Sequence, residues 1–438
     1  MRPSENGGRY CARSTMPSAL PSMQRDPSPN SLDPARRRLG RRLAVLSHPA
    51  GMTHRNVFTD QLPTLALVGL GASEVWIGLQ RAFEPISQLI QLPTLQAVGR
   101  LRKRPILIGG QVVAVLGGLP LVAYATLHGI GGNTALVIAL ASLWVTAVGL
   151  VISQTVWFPL LRSYVEPGRI GEFFGVLRTG WHLTLIAFFL GAQQWLAAHP
   201  GSFGPLFGVA TAAGILRIAL IARLPDSAAI QPDERMRLRD VVALVRDRVP
   251  LRRYLAGMIL CGAPRRAALP FAVVMMRRSM GLSDADVVLT TVASFAGGFA
   301  SLYAWGRAVD RFGAAPVFRV TALASSVLLL GLAAVGPGAS LLAMVGFFFV
   351  FVALAAGFGV ADTHVLFSIA PDHEATPTLV VADVTTNLAY GAAPLLAGIA
   401  LERLIAAGID ATAAYRGLFV AAALVMALAP IPLRGFRR

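Results

Sequence analysis

The sequence predicts an all-α integral membrane protein in which twelve transmembrane helices form two pseudo-symmetric six-helix bundles. Three observations carry that prediction. Of 438 residues, 55% are hydrophobic and 14% charged, against about 25% charged in an ordinary soluble domain. Mean hydropathy is +0.62. Apolar windows of about 20 residues, long enough to cross about 30 Å of hydrocarbon, recur along the chain. Finally, the second half repeats the first.

In the first half the spans fall at residues 43–70, 74–98, 105–127, 134–161, 173–198 and 203–224. In the second they fall at 254–276, 284–303, 316–335, 340–369, 378–405 and 414–433. The longest connection, 225–253, separates an N-terminal bundle (43–224) from a C-terminal bundle (254–433). Ala50-Gly51-Met52 recurs as Ala256-Gly257-Met258, Leu62-Pro63 as Leu269-Pro270, Gly71-Ala72-Ser73 as Gly281-Leu282-Ser283, and Pro105 as Pro316. The offsets drift only from about 206 to about 211, as in a duplicated six-helix unit with small insertions.

Residues 1–42 are rich in Pro, Ser and Arg and are expected to be a disordered basic tail. The 225–253 connection is expected to be an amphipathic linker. Leu238, Val241, Val242 and Val245 share one helical face there, suited to an anionic membrane surface. Lys and Arg gather at 36–42, 100–104, 162–169, 235–253, 307–311 and in the short tail 434–438. By the positive-inside bias that side is cytoplasmic, so both termini lie inside a cell (inner or plasma) membrane. Arg277 and Arg278 are the exception on the other side. The net charge of +17 therefore orients helices and does not point to nucleic acid. Cys11 and Cys261 can make neither a disulfide framework nor a metal cage. The chain has no GxxxxGK[ST] phosphate loop and no HExxH, so no enzyme, metal or cofactor is expected.

A charge at mid-helix costs roughly 2.5–3.5 kcal/mol to insert, so it should have a partner or a task. The first span holds His54, Arg55, Asn56, Asp60 and Gln61. The second holds Arg81, Glu84, Gln88 and Gln91, where Arg81 and Glu84 are helical neighbours suited to an ion pair. The seventh holds Arg265 and Arg266, the tenth Asp362 and His364, and the eleventh Asp383. His54, Arg55, Asp60, Glu84, Gln88, Arg265, Arg266, Asp362 and His364 are the candidates for a polar cavity and its coupling. Aligning Gly51 with Gly257 sets Asp60 opposite Arg266, which predicts an Asp60 contact with Arg266 or Arg265 in at least one state of the protein. Across the first, seventh and tenth spans Arg55, Arg265 and Arg266 outnumber Asp60 and Asp362, and that mild positive excess suits an anionic or zwitterionic ligand.

Residues 306–316 read GRAVDRFGAAP between the eighth and ninth spans. Gly306 and Gly313 suit a tight turn, Pro316 the first turn of the next helix, and Arg307, Asp310 and Arg311 the water at its edge. Gly306, Asp310, Arg311 and Gly313 match the loop signature of the major facilitator superfamily, whose later arginines are replaced here by Ala314 and Ala315. With twelve spans and a basic central connection, the chain after residue 43 resembles that superfamily of secondary transporters.

The resemblance implies two bundles around a cavity lined by the first, fourth, seventh and tenth spans and opening alternately to each side. It implies a small-molecule substrate, coupling to a proton (through Glu84 or Asp362) or another ion, and a monomer in the lipid bilayer. It also implies a cytoplasmic gate in which the loop acid meets a helix start in the opposite half. Asp310 would pair with Arg178 and, with the charges exchanged, Asp383 with the basic loop at Arg100. Multidrug/proton antiport is an alternative. Against it, 134–161 has no Arg and 173–198 no Pro, although 391–398 carries a partial Gly-Pro motif in the eleventh span. The other alternative is a non-transporting assembly or sensor protein.

Overall fold

The structure, a computed structural model, describes residues 33–91, 102–165, 170–225, 245–336, 338–369 and 375–434, and every regular element among them is helical. Helix α1 (Pro34–Thr59) starts earlier than expected, with Asp33 at its N-cap and Pro34 in its first turn. The basic run 36–42 is therefore a helical extension and not a tail. Gly40 holds it in place, because a Cβ there would come within 2.4 Å of the Tyr164 ring.

The expected first span is two helices. Pro63 has no N–H for the Thr59 carbonyl and its ring crowds the residue four back, so α1 ends at Thr59 and α2 (Gln61–Gly69) follows a break at Asp60. Then come α3 (Glu74–Ser87) with a 3₁₀ turn at Gln88–Ile90, α4 (Lys103–Val122), α5 (Tyr124–Ile130), α6 (Gly132–Arg162), α7 (Ile170–Ala198) and α8 (Gly204–Ile221). The second half holds α9 (Val249–Arg278), α10 (Asp284–Phe312), α11 (Ala314–Ala334), α12 (Leu341–Ile369), α13 (Ala375–Ala406) and α14 (Ala411–Ala427).

Nine helices among the described residues, α4 and α6 to α13, are long and apolar enough to cross a membrane. The other three expected spans fall short for visible reasons. In α1 charges interrupt the apolar run, α3 is only 14 residues long with 92–98 of its expected span outside the described residues, and α14 is a shorter apolar helix. Residues 226–244, which hold most of the expected linker, lie outside the described residues, as do 1–32 and 435–438.

Within each half, helices pack through glycine. A Cβ on Gly110 would sit 2.5 Å from the Ser153 nitrogen, joining α4 to α6, and one on Gly297 would sit 2.1 Å from the Phe349 carbonyl oxygen, joining α10 to α12. Small residues serve here because lipid supplies no hydrophobic drive between helices, so close backbone approach must supply the attraction. Two seams join the halves. In the α3–α13 seam Gly78 lies against the Pro394 carbonyl and Gly398 against that of Glu74, each 2.4 Å from where a Cβ would be. The α7–α10 seam is aromatic, with Phe189 stacked on Phe295 at 5.5 Å and Trp181 edge-on to Phe295 at 6.2 Å.

The turn between α10 and α11 is narrower than the sequence suggested. Only Gly313 has a positive φ, 83°, and Ala314 already begins α11 with Pro316 in its first turn. Gly306 lies inside α10, and a side chain there would meet nothing within 4 Å. The close approach expected at Gly306 is absent, and the turn rests on the positive φ of Gly313.

Gly78→Val should overpack the α3–α13 seam at a cost of about 1–3 kcal/mol. Its melting temperature in detergent should fall clearly below that of the parent, while Gly331→Ala, with nothing within 4 Å, should match the parent. A Gly78→Val protein melting with the parent would contradict this packing.

Candidate substrate site

The central cavity is set by one face of α1 and one of α9. Met52, Arg55, Asn56, Thr59 and Asp60 recur at helical spacing on α1, and Gly262, Arg265, Arg266, Leu269 and Pro270 on α9. Gln80, Arg81, Phe83 and Glu84 of α3 close another wall, with Phe358 of α12 and Tyr390 of α13 completing the rim. The space measures about 480 Å³, the size of a small-molecule site.

Its charges are answered in an order the sequence did not reveal. Arg55 reaches from α1 to the Glu84 carboxylate of α3 and the Gln154 side chain of α6. Arg81 does not pair with Glu84. It donates to the Thr59 and Asp60 carbonyls at 2.6 and 2.8 Å and lies 4.0 Å from the Asp60 carboxylate. The reason is the break at Pro63, which frees carbonyls that a cation can cap within the membrane. Arg265 and Arg266 have no carboxylate within ion-pair distance among the described residues. Arg265, buried, lies over the Phe358 ring at 4.8 Å, and Arg266, exposed to the cavity, lies 5.8 Å from the Tyr390 ring. Asp60 and Arg266 thus share the cavity and make no ion pair in this state.

The other candidates lie elsewhere. His54 is fully buried one residue from Arg55, and the helical step turns it away to meet Gln111 of α4 at 3.1 Å. Gln88 is buried outside the cavity lining and bonded to Gln91. Asp362 accepts from the Tyr254 hydroxyl, outside the cavity lining, and His364 is exposed.

Hydrogen bonds between the halves gather at the end where α3 begins. Glu74 takes Arg278 of α9 and the Tyr415 hydroxyl of α14, the latter at 2.6 Å. Glu402 of α13 accepts from the Ser73 hydroxyl at 2.6 Å and from the Val75 N–H at 3.1 Å. That acid caps the start of α3 from the opposite half, where the helix dipole favours negative charge. Gln61 adds bonds from Thr291 at 2.8 Å and Thr290 at 3.3 Å. Arg277 pairs with Asp284, so both arginines that broke the positive-inside pattern are neutralised here.

Solved structures share this architecture. A variant of the nucleoside transporter NupG aligns with a TM-score of 0.72 at 12% identity, over 90% of this chain and 100% of that one. A bacterial homologue of the iron transporter ferroportin in its inward-facing state aligns at 0.66 and 16% identity, over 90% and 98%. The chain has the major facilitator fold. A bacterial homologue of the lysosomal transporter Spinster, inward-facing and occupied, aligns at 0.67 and 14%, over 90% and 96%. No family model matches the sequence, and no curated protein matches it.

In this major facilitator fold the loop-signature residues stand apart. Asp310 and Arg311 are exposed on α10, with the Arg311 guanidinium over Phe312. Asp310 and Arg178 make no ion pair, and Asp383 is bonded by Asn387 at 2.9 Å. Arg100 lies outside the described residues. The expected device, an acid from one half on a helix start of the other, is instead made by Glu402 at the opposite end. The sequence offered Arg278 only as an exception to the charge bias and gave no sign of Glu74 and Glu402, because these residues mark span boundaries, where charge is ordinary. Arg217 of α8 had the stronger signal, a lone arginine in mid-span.

Arg81→Gln should leave the Thr59 carbonyl without its cap and lower stability by about 1–3 kcal/mol. Pro63→Ala restores the missing N–H, so the double variant should melt above Arg81→Gln. Equal melting of the two would contradict the capping role.

Proposed function

We propose that this protein is a secondary transporter that moves a small solute bearing an anionic group by alternating access. The observation that carries the reading is the pair Arg265 and Arg266, which face a cavity between two helical halves without acidic partners while Arg55 and Arg81 have theirs. Solved proteins of like fold carry cargoes as different as nucleosides and metals, so the fold does not choose the cargo. Local charge does. A carboxylate or phosphate entering this cavity would meet Arg266 first, at its exposed edge.

The end clasped by Glu74, Arg278 and Glu402 is then the closed, external end, and the end carrying Asp310 and Arg178 is open to the cytoplasm. Two observations support this state. Basic residues gather at the open end, as the positive-inside bias requires of the cytoplasmic side. The ferroportin homologue resembles this chain more in its inward-facing form, with a TM-score of 0.66, than in its outward-facing form, at 0.59. Closing the open end would bring α7 and α10 together there and join Asp310 to Arg178. Asp362 is the carboxylate best suited to carry a coupled proton, since a tyrosine hydroxyl holds it and no cation neutralises it.

Counterflow in liposomes with a panel of organic anions, neutral solutes and cations tests this reading. Anions should exchange, and Arg266→Gln should reduce that exchange at least tenfold with little change in melting temperature. Asp362→Asn should abolish the response to an imposed pH gradient while leaving counterflow. A preference for cations, or unaltered exchange in Arg266→Gln, would overturn the assignment.

A further inference from the structure

A second cavity, of about 210 Å³, lies inside the first half between α1, α4, α6, α7 and α8. Its wall holds Arg217 of α8, which is 7% exposed and has no acidic partner. Arg217 lies over the Trp157 ring at 4.9 Å and is lodged against α1 at Gly51, where a Cβ would come within 1.7 Å of its Nη1 atom. Its place is thus fixed by packing.

Polar atoms without hydrogen-bond partners cluster around this cavity. They are Arg217 Nε, Trp157 Nε1, Ser153 Oγ, Gln111 Oε1 and His48 Nδ1. Arg217, Trp157, Ser153 and Gln111 are all more than nine-tenths buried. An unsatisfied buried polar atom costs about 1–3 kcal/mol, so several around one space ask for a ligand that answers them. Guanidinium and indole nitrogens only donate, and the serine hydroxyl can donate as well. Arg217 Nε and Trp157 Nε1 therefore require an acceptor and Ser153 Oγ can use one, while Gln111 Oε1, an amide oxygen, accepts only and is not answered by it. No carboxylate is among the lining residues, whereas Arg55 and Arg178 join Arg217 there, Arg55 with Glu84 as its partner outside this lining.

We propose that this cavity binds a small organic monoanion, a carboxylate on a flat apolar body. The carboxylate oxygens would take the Arg217, Trp157 and Ser153 donors. The body would lie among Phe158, Phe174 and Trp181, which give the cavity aromatic sides. The volume equals that of about seven waters at roughly 30 Å³ each, which accommodates a one-ring acid. Met52 and Arg55 line both cavities, so the site adjoins the central one, yet its recognition rests on Arg217 and not on Arg266.

Benzoate is the probe, titrated into the purified full-length protein in detergent with tryptophan fluorescence and calorimetry as readouts. In the Arg266→Gln protein, where the central cavity is disabled, binding should saturate near one equivalent, and benzamide, of the same shape without the charge, should bind at least tenfold more weakly. In the same background Arg217→Gln should abolish binding and Ser153→Ala weaken it about threefold. If Arg217→Gln does not fold, Ser153→Ala and Arg178→Gln carry the test, each with a weaker site and an unaltered melting temperature. Any of four results overturns the proposal: no saturable binding, equal affinity for benzamide, loss of binding through Arg266→Gln alone, or chloride competing as tightly as benzoate. Chloride competition at equal affinity would mark an inorganic-anion site instead.

Discussion

Helix α1 cannot stand in hydrocarbon by itself, because Arg55, Asn56, Asp60 and the carbonyls freed at Pro63 all need partners that lipid does not offer. Helix α3 supplies most of them. Glu84 answers Arg55, and Arg81 answers both the open carbonyls and Asp60. Much of the cavity follows from that arrangement. A polar face of α1 lines the space between the halves up to the break, and α3, committed to α1 by these bonds, presents Gly78 to α13. A disturbance at Arg81 would therefore be felt in the helix break, the cavity wall and the seam together.

The two seams between halves are chemically unlike, although the chain is a repeat. Backbone meets backbone along α3 and α13, while rings interleave along α7 and α10. A glycine seam permits sliding with little change in side-chain packing, whereas an aromatic seam must exchange ring contacts. At the clasped end the decisive contacts are charged, with Glu402 on the start of α3 and Arg278 on Glu74. Such charge-assisted bonds in a partly exposed place bind firmly yet release when water enters.

The architecture was legible because hydrophobic length and the internal repeat are properties of single helices, and so was the polar character of the cavity, since a buried charge is visible wherever it occurs. Partner choice was not legible. Arg81 and Glu84 are helical neighbours in the sequence, and only the proline-induced break explains why Arg81 turns to carbonyls and leaves Glu84 to Arg55. His54 and Arg55 looked alike as polar residues of one span, but a step of one residue sends them to opposite environments. Gly306 matched a loop motif and proved to be mid-helix, because a four-residue match cannot say where a helix stops. Arg277 and Arg278 broke the charge rule for a reason that became visible only once Asp284 and Glu74 stood beside them.

The central claim is that one face of α1 lines the central cavity while the rest is packed in protein. Single cysteines introduced along α1, with Cys11 and Cys261 replaced by serine, and reacted with a membrane-impermeant maleimide would measure that directly. Cysteines at 52, 56 and 59 should label rapidly and those at 54 and 57 scarcely at all, repeating the helical period up to the break at Asp60. Equal labelling at 54 and 57, or labelling without that period, would contradict the account.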